Sequence, residues 1–427
     1  MTVVNRTHWP VPRATAPVRA TCDIPGSKSL TNRYFVLAAL SNAPSIVRSP
    51  LVSRDTELMM RALDALGATF TPHGNDISVE PIMGGDNSAS DATIDCGLAG
   101  TVMRFVPPVV LATGTRAHFD GDPQARVRPM QTILDALTAL GATVDSDDGF
   151  LPFSITTGDH VGNTVTIDAS QSSQFVSGLL LSAARFPDGL TVKHLGETVP
   201  SKPHIDMTVA TLKQYGVKVT QPDPTTWVVE PGVIQATDVT VEPDLSNAAT
   251  FLGVPLIAGG SVTVPHWPER TDQAGHAFMD IARAFGGTAE LTPAGLTVTG
   301  SGTVQPVDLD LSQVGELTPV VAAIAAHAHG TSHLRGIGHL RGHETDRLTA
   351  LATELTKAGA QVEEGPDYLT ITSTVSTGCA WSSYADHRMV MAGALVGLTQ
   401  DVTIEDPDTV AKTLPQFTDM FERVVSA

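Results

Sequence analysis

Five segments of this 427-residue chain share one pattern: an amphipathic helix, a glycine, then an apolar or β-branched run. They read MMRALDALGATF, ILDALTALGATV, TVATLKQYGVKV, FMDIARAFGGTAEL and LATELTKAGAQVEE. Their glycines, Gly67, Gly141, Gly216, Gly286 and Gly359, are 74, 75, 70 and 73 residues apart. The helices carry apolar residues at i, i+3, i+4 and i+7, as in Leu348, Leu351, Ala352 and Leu355. The glycine supplies the left-handed residue that stops each helix, and a strand follows. Such a period means one supersecondary unit copied several times, and 70 to 75 residues is too long for a solenoid repeat. The length accommodates six copies. The sixth is expected at the helix from His387 through RMVMAGALVGL, where VTIEDP replaces the glycine-led strand. The pattern predicts an α/β protein of six units, arranged as two domains of three.

Charge narrows the partners. The net charge of −19 disfavours nucleic acid and anionic membranes. It leaves room for a small anionic substrate, because exposed charges more than about 8 Å apart are largely screened at physiological salt. No apolar run reaches the roughly 18 residues of a membrane span. The opening MTVVNRTHWPVPRA lacks the continuous apolar region of a signal peptide. Cys22, Cys96 and Cys379 are odd in number and far apart, which argues against a disulfide framework or a thiolate zinc site and suits a reducing cytosol. A cytoplasmic monomer without metal or other cofactor is expected, with neither nucleic acid nor membrane as partner.

The basic residues gather where strands give way to helices. In IPGSKSLTNRYFVLAAL, Pro25 and Gly26 are expected to end a strand, and a helix to start between Ser27 and Ser29. The spacing is not that of a P-loop, which needs G-x-x-x-x-G-K-[ST]. Free N–H groups at such a helix start favour an anion; Ser29 and Arg33 share a face, with Lys28 at the mouth. Simple capping with a salt-bridged arginine accounts for this segment equally well. DCGLAGTVMRFVPP repeats the design with Gly97, Gly100, Thr101 and Arg104. GDPQARVRPM holds Arg126 and Arg128 in a loop, and DASQSSQFVSGLL puts Ser172, Ser173 and Gln174 at the head of an apolar helix.

The C-terminal half adds carboxylates. LRGHETDRL places His343, Glu344 and Arg347 around a helix start, Glu316 sits at another junction, and Asp386-His387-Arg388 and Lys412 complete the set. Carboxylates beside cations suit general acid and base work, although any one of them equally suits a surface ion pair. The HETD segment has no metal-ligand spacing, and HExxH is absent. A two-domain cleft lined by these junctions would bind one or two anions, with a carboxylate from each of two segments for proton transfer.

Taken in order, PGSKSLTNR, GLAGTVMRF, ARVRP, SSQF, SKPHIDMT, GELTP, RGHETDRL, DHRM and AKTLP resemble the 5-enolpyruvylshikimate-3-phosphate synthase family almost end to end. The resemblance implies a two-domain inside-out α/β barrel of six βαβαββ-type repeats, with residues 1–26 and 244–427 in one domain and 27–243 in the other. It implies transfer of the enolpyruvyl group of phosphoenolpyruvate to shikimate 3-phosphate in the shikimate pathway to chorismate and the aromatic amino acids, and the family's sensitivity to glyphosate. It assigns shikimate 3-phosphate to Lys28, Ser29, Arg33, Ser172, Ser173, Gln174, Ser201, Glu316 and His343. It assigns phosphoenolpyruvate to Lys28, Gly100, Arg128, Gln174, Arg347, Arg388 and Lys412. Glu316 would accept the proton of the attacking hydroxyl and Glu344 would protonate the methylene carbon, with Lys28 as the third catalytic residue.

The chain departs from the family's usual GNAGTAMRP at Leu98 and Phe105, so an asparagine contact is lost. Glu316 and His343 stand where many relatives have Asp and Lys, and His339 where many have Asn. Glutamate still serves as a base, and His343 makes its contribution more pH-sensitive than a lysine's. The alternatives are UDP-N-acetylglucosamine enolpyruvyl transferase and a non-catalytic anion-binding homologue. The first usually carries a reactive Cys near the ARVRP region, which has none here; the second would have lost a carboxylate, yet Glu316 and Glu344 both remain.

Overall fold

A computed structural model describes residues 7–83, 91–196, 199–372 and 374–427. The chain forms two compact units, Met1–Pro25 with Glu242–Ala427, and Gly26–Val241. Among the described residues, the Gly26–Val241 unit holds α1 (Lys28–Ala39), α2 (Arg54–Ala65), α3 (Gly100–Thr113), α4 (Gln131–Ala139), α5 (Gln174–Ala183) and α6 (Pro203–Gln214). The other holds α7 (Leu245–Ala258), α8 (Phe278–Ala284), α9 (Thr318–Ala325), α10 (Arg347–Lys357), α11 (His387–Gly397) and α12 (Phe417–Val425). No helix among the described residues is long and apolar enough to cross a membrane.

One repeat shows the plan. Strand Asp91–Asp95 leads into α3, strand Arg116–Asp120 into α4, and the hairpin Thr143–Ser146 and Phe153–Thr156 closes the copy. The first two strands pair in parallel, with Ala92 opposite Ala117. Phe153–Thr156 then runs antiparallel to Arg116–Asp120, with Thr143–Ser146 outside it. Alternate residues Ala92, Ile94, Ala117, Phe119, Phe153 and Ile155 are buried. This is the two-residue period of a sheet that covers a core on one face. The first strand ends on an Asx turn, where Asp95 Oδ1 accepts from Gly97 N–H at 2.8 Å. Asp168 does the same for Ser170 and Asp310 for Ser312, both at 2.9 Å, at the matching places of two other copies.

The two helices of each copy differ in kind. The second (α2, α4, α6, α8, α10) is the amphipathic helix of the repeated motif; in α4 the buried set is Ile133, Leu134, Ala136 and Leu137. The first is buried on every side. In α3 every residue from Thr101 to Leu111 is buried, and in α11 every residue from His387 to Gly397. Such a helix is stable only when enclosed. Accordingly α1, α3 and α5 pack together inside one unit, and α7, α9 and α11 inside the other, with the sheets outermost. Gly178 of α5 lies so close to the Arg104 carbonyl of α3 that a Cβ would strike it.

Three strands come from far along the chain. Val239–Thr240 pairs in parallel with Ser45–Arg48, Val18–Thr21 with Gly260–Val264, and His8–Pro10 antiparallel with Val402–Glu405. Among the described residues there are five four-stranded sheets and one of three strands. Two expectations are corrected here. The strand before α1 stops at Thr21, well short of Pro25 and Gly26. The helix from His387 is a first-type, fully enclosed helix, and the sixth copy of the amphipathic motif is α12, with Phe417, Met420, Phe421 and Val424 on its buried face. The run ends in glycine like the motif, but Gly397 is the last helical residue of α11, packed against Val11, without the positive φ of a motif glycine.

The five motif glycines all have positive φ, from +75° to +105°. Their surroundings differ. A Cβ on Gly67 would meet only Ile82 Cγ2 at 3.7 Å, whereas one on Gly141 would strike the His160 carbonyl oxygen. Gly67→Ala is expected to cost about 1 kcal/mol, the backbone penalty alone, and Gly141→Ala about twice that or more. Urea-denaturation midpoints of the two variants make the comparison; equal losses would show that the His160 contact adds nothing.

Candidate active site

Most side chains singled out in the sequence lie at or beside a helix start; Arg33 is in the second turn of α1, and Lys412 ends a short turn ahead of α12. In the Gly26–Val241 unit the starts of α1, α3 and α5 meet. Asn32 Nδ2 donates to Thr101 Oγ1 at 2.7 Å, joining α1 to α3. Gly100, the first residue of α3, faces both Arg128 and Gln174. A Cβ there would lie 3.0 Å from Arg104 Nη1, 3.1 Å from Arg128 Nη1 and 3.1 Å from Gln174 Oε1. Only a bare Cα leaves that space open. Arg128 donates to the Leu98 carbonyl at 3.3 Å. Its buried Nε, and the buried Oε1 of Gln174, have no hydrogen-bond partner among the described residues. Buried groups in that state typically cost about 1–3 kcal/mol each, so a ligand supplying both an acceptor and a donor is favoured here.

Lys28 opens α1 behind the N-cap Ser27, and its ammonium is 3.2 Å from Asp55 Oδ2 in the first turn of α2. Ser172 Oγ accepts from Gln174 N–H at 3.3 Å, and Ser173 is buried at the head of α5. Ser201, just before α6, holds φ at +53°, a left-handed conformation uncommon for a residue with a side chain. Arg126 and Arg128 part company. Arg126 makes an exposed two-point pair with Asp120 at 2.9 and 2.6 Å, whereas Arg128 turns inward to Gly100.

Arg33 is buried, and its guanidinium ties the helices together. Nε donates to Thr208 Oγ1 at 2.8 Å, Nη1 to the Ser29 carbonyl at 2.8 Å and Nη2 to the His204 carbonyl at 2.9 Å. Phe105 lies beneath it, ring centre 5.2 Å from the guanidinium carbon, a cation–π contact. The two departures from the family's glycine motif thus go inward. Phe105 supports Arg33, and Leu98 is buried while its carbonyl holds Arg128.

In the other unit the starts of α7, α9 and α11 meet likewise. Arg388 Nη1 donates to the Ser246 carbonyl of α7 at 3.0 Å, and Nη2 reaches Glu316 Oε2, just ahead of α9, at 3.4 Å. Arg347 is the hub. Its Nε and Nη2 grip Asp386 at 2.7 and 3.2 Å, and Nη2 also reaches Glu344 at 3.0 Å. Burial opposes its charge, but Asp386 and Glu344 outweigh burial and raise its pKa. Nη1 donates to His343 Nδ1 at 3.2 Å, so that ring nitrogen is the acceptor. Lys412 Nζ donates to the Ala385 carbonyl at 3.1 Å and lies 3.9 Å from Glu344. Glu344 thus lies against Arg347 and Lys412, and Glu316 against Arg388. Asp386, fully buried, was singled out beside Arg388 but given no role, and Asp55, almost fully buried, was not among the expected site residues. Both had a visible signal: an acid at a helix N-cap, and one in a helix's first turn behind a capping serine.

Across residues 12–421 the chain matches the family model described as EPSP synthase (3-phosphoshikimate 1-carboxyvinyltransferase). It is 50% identical to the 3-phosphoshikimate 1-carboxyvinyltransferase of Kocuria rhizophila, covering 98% of this chain and 97% of that one. The chain belongs to the EPSP synthase family. Solved structures agree on the fold. EPSP synthase from Acinetobacter baumannii superposes with a TM-score of 0.79 at 22% identity, covering 98% of each chain. The enolpyruvyl transferase NikO from Streptomyces tendae gives 0.75 at 16%, over 98% of this chain and 97% of that one. At such identities these neighbours bear on fold alone. The inside-out arrangement implied by the nine motifs is the one observed, with sheets outside and enclosed helices within.

His339 packs edge-on to His343 at 6.0 Å between ring centres. Its Nε2 is buried against Gly315, with no hydrogen-bond partner among the described residues. Burial, then the nearby Arg347 charge, push its pKa down from 6.5 to about 4, against the opposing hydrogen bond to the Gly336 backbone. A depressed histidine pKa favours the fold fully above the unfolded value of 6.5, and that advantage disappears as pH falls toward 4. The difference corresponds to about 3 kcal/mol. The stability lost between pH 6.5 and 4 should therefore be smaller in His339→Asn by up to that amount, read as urea midpoints at both pH values. Equal losses in the two proteins would exclude His339 from the acid sensitivity.

Proposed function

We propose that this protein transfers the enolpyruvyl group of phosphoenolpyruvate to the 5-hydroxyl of shikimate 3-phosphate, giving 5-enolpyruvylshikimate 3-phosphate and phosphate. The observation that carries this reading is the near full-length identity with a curated 3-phosphoshikimate 1-carboxyvinyltransferase. The chemistry is addition followed by elimination. The 5-oxygen bonds to C2 of phosphoenolpyruvate while a proton reaches C3. Loss of a C3 proton then restores the double bond as phosphate leaves. The first half needs a base at the hydroxyl and an acid at the carbon, and the second half reverses the acid's role.

Shikimate 3-phosphate is assigned to Lys28, Ser29, Arg33, Ser172, Ser173, Gln174, Ser201, Glu316 and His343. Phosphoenolpyruvate is assigned to Lys28, Gly100, Arg128, Gln174, Arg347, Arg388 and Lys412. Glu316 is the base and Glu344 the acid, with Lys28 serving both substrates. The geometry within each unit supports these roles. Arg128 and Gln174 bring a donor and an acceptor to Gly100, and Glu344 sits against Arg347 and Lys412. A phosphate and carboxylate arriving among fixed cations meet charge that needs no reorganisation. Because Arg33 and Arg347 already donate to several protein groups, they hold the frame as well as contacting substrate. The same reading has the protein acting as a cytoplasmic monomer on small molecules alone. It places this step in the shikimate pathway, towards chorismate and aromatic amino acids.

Purified protein given both substrates should release phosphate and form an enolpyruvyl ether, identified by phosphorus NMR; absence of both would overturn the reading. Glu344→Gln should lower kcat by about 10²–10⁴-fold and leave both KM values within a few fold, because the acid acts mainly in the transition state. Near-normal turnover would remove Glu344 from the chemistry. The open space at Gly100 also predicts inhibition by glyphosate, competitive with phosphoenolpyruvate. A methyl in Gly100→Ala, about 3 Å from Arg104, Arg128 and Gln174, should raise the phosphoenolpyruvate KM and the glyphosate Ki, each at least fivefold. Unchanged values in that variant would place phosphoenolpyruvate elsewhere.

A further inference from the structure

Tyr384 and Ala385 have φ of +54° and +53°. They are the one consecutive pair of non-glycine residues with positive φ among the described residues. Single residues with side chains visit this region at a steric cost, and a run of two persists only where the surroundings impose it. Strain of this kind gathers at functional sites, so what the turn presents and what holds it are both informative.

The turn presents cation-binding groups. The Ala385 carbonyl accepts from Lys412 Nζ at 3.1 Å. The next residue, Asp386, receives two bonds from Arg347 and caps α11 through Arg388 N–H at 2.8 Å. Two of the cations assigned to phosphoenolpyruvate, Lys412 and Arg347, therefore have their charged groups held by two adjacent residues, and the backbone of a third, Arg388, is held by the second of them.

Helix α10 holds the turn at two points. Arg347, its first residue, grips Asp386. Seven residues on, and so on the same face, Glu354 is completely buried. Its Oε1 accepts from the Tyr384 hydroxyl at 2.6 Å and from Lys357 Nζ at 2.8 Å, and its Oε2 from Ser382 N–H at 3.2 Å. A buried carboxylate is tolerated only when it is paired in this way. Burial and the Glu354 carboxylate push the Tyr384 phenol up to about 12, so it remains a donor throughout the working pH range. Among the described residues, Glu354 and Tyr384 bond to each other, Lys357 and Ser382, none of them assigned to either substrate, so substrate contact does not account for the bond between them.

We infer that Glu354 and Tyr384 are positioning residues for phosphoenolpyruvate. Their hydrogen bond holds the left-handed turn Tyr384–Ala385 so that Lys412, Arg347 and Arg388 stand ready for the anion. This rests on the assignment of those three cations to phosphoenolpyruvate.

Initial rates of the full-length enzyme, with each substrate varied in turn, test it. Tyr384→Phe deletes one oxygen and keeps the ring. It should raise the phosphoenolpyruvate KM at least fivefold, with the shikimate 3-phosphate KM within twofold and Tm within a few degrees. Adding Ala385→Gly, which adopts the same φ without a Cβ penalty, should return the phosphoenolpyruvate KM to within threefold of the parent. A phosphoenolpyruvate KM within twofold of the parent in Tyr384→Phe would overturn the proposal, as would both KM values rising together with a fallen Tm. Lys412→Met separates the two layers. A raised phosphoenolpyruvate KM there, with none in Tyr384→Phe, defeats the tether alone; an unchanged value in Lys412→Met defeats the assignment beneath it.

Discussion

A helix that is buried on every side can be stable in water only if other elements surround it, and the described residues contain six of them. The rest of the architecture follows from that requirement. Three such helices share one interior in each unit, and the sheets go outside with one face of each turned inward. The charged residues of these segments lie in their first two turns, near where the enclosed helix meets its strand. Lysine, arginine, serine and glycine therefore concentrate at helix starts. Packing the helices side by side brings those starts together, and bonds such as Asn32 to Thr101 and Arg388 to the Ser246 carbonyl mark the meeting points.

The repeat was legible because its second helix is half exposed. One wet face and one dry face write a 3.6-residue period into the sequence, and the positive-φ glycine after it is a fixed marker. The enclosed helices carry no such period, which is why the run from His387 was aligned with the wrong member of the pair. The three borrowed strands were not legible either. Val18–Thr21, His8–Pro10 and Val239–Thr240 are short, and their partners are dictated by how the copies close rather than by any local pattern.

The site was legible as a list of residues and much less so as a set of bonds. Spacing put Arg126 and Arg128 on equal terms, yet one is an exposed partner of Asp120 and the other faces Gly100. Arg33 and Arg347 read as ligands for anions, and in the fold they are also buried cross-links between helices. A charged group held by several protein acceptors has few ways to move, which is the property a site needs if its field is to be in place before the substrate arrives. Phe105 belongs to the same scheme. It departs from the usual residue of the family's glycine motif and serves the arginine behind it.

The borrowed strands also bear on how the chain is made. Gly26–Val241 is continuous, and its last strand, Val239–Thr240, completes the sheet begun by Ser45–Arg48. Once those residues have left the ribosome, this unit has everything its core requires. The other unit has no such option. Val18–Thr21 waits for Gly260–Val264, and His8–Pro10 for Val402–Glu405, nearly four hundred residues later. Synthesis runs at roughly 5–20 residues per second, so Val18–Thr21 spends about 12 seconds or more, and His8–Pro10 about 20 seconds or more, without their partners. The order of translation makes the continuous unit the earlier to fold, while the N-terminal strands that open the chain are among the last to find their places.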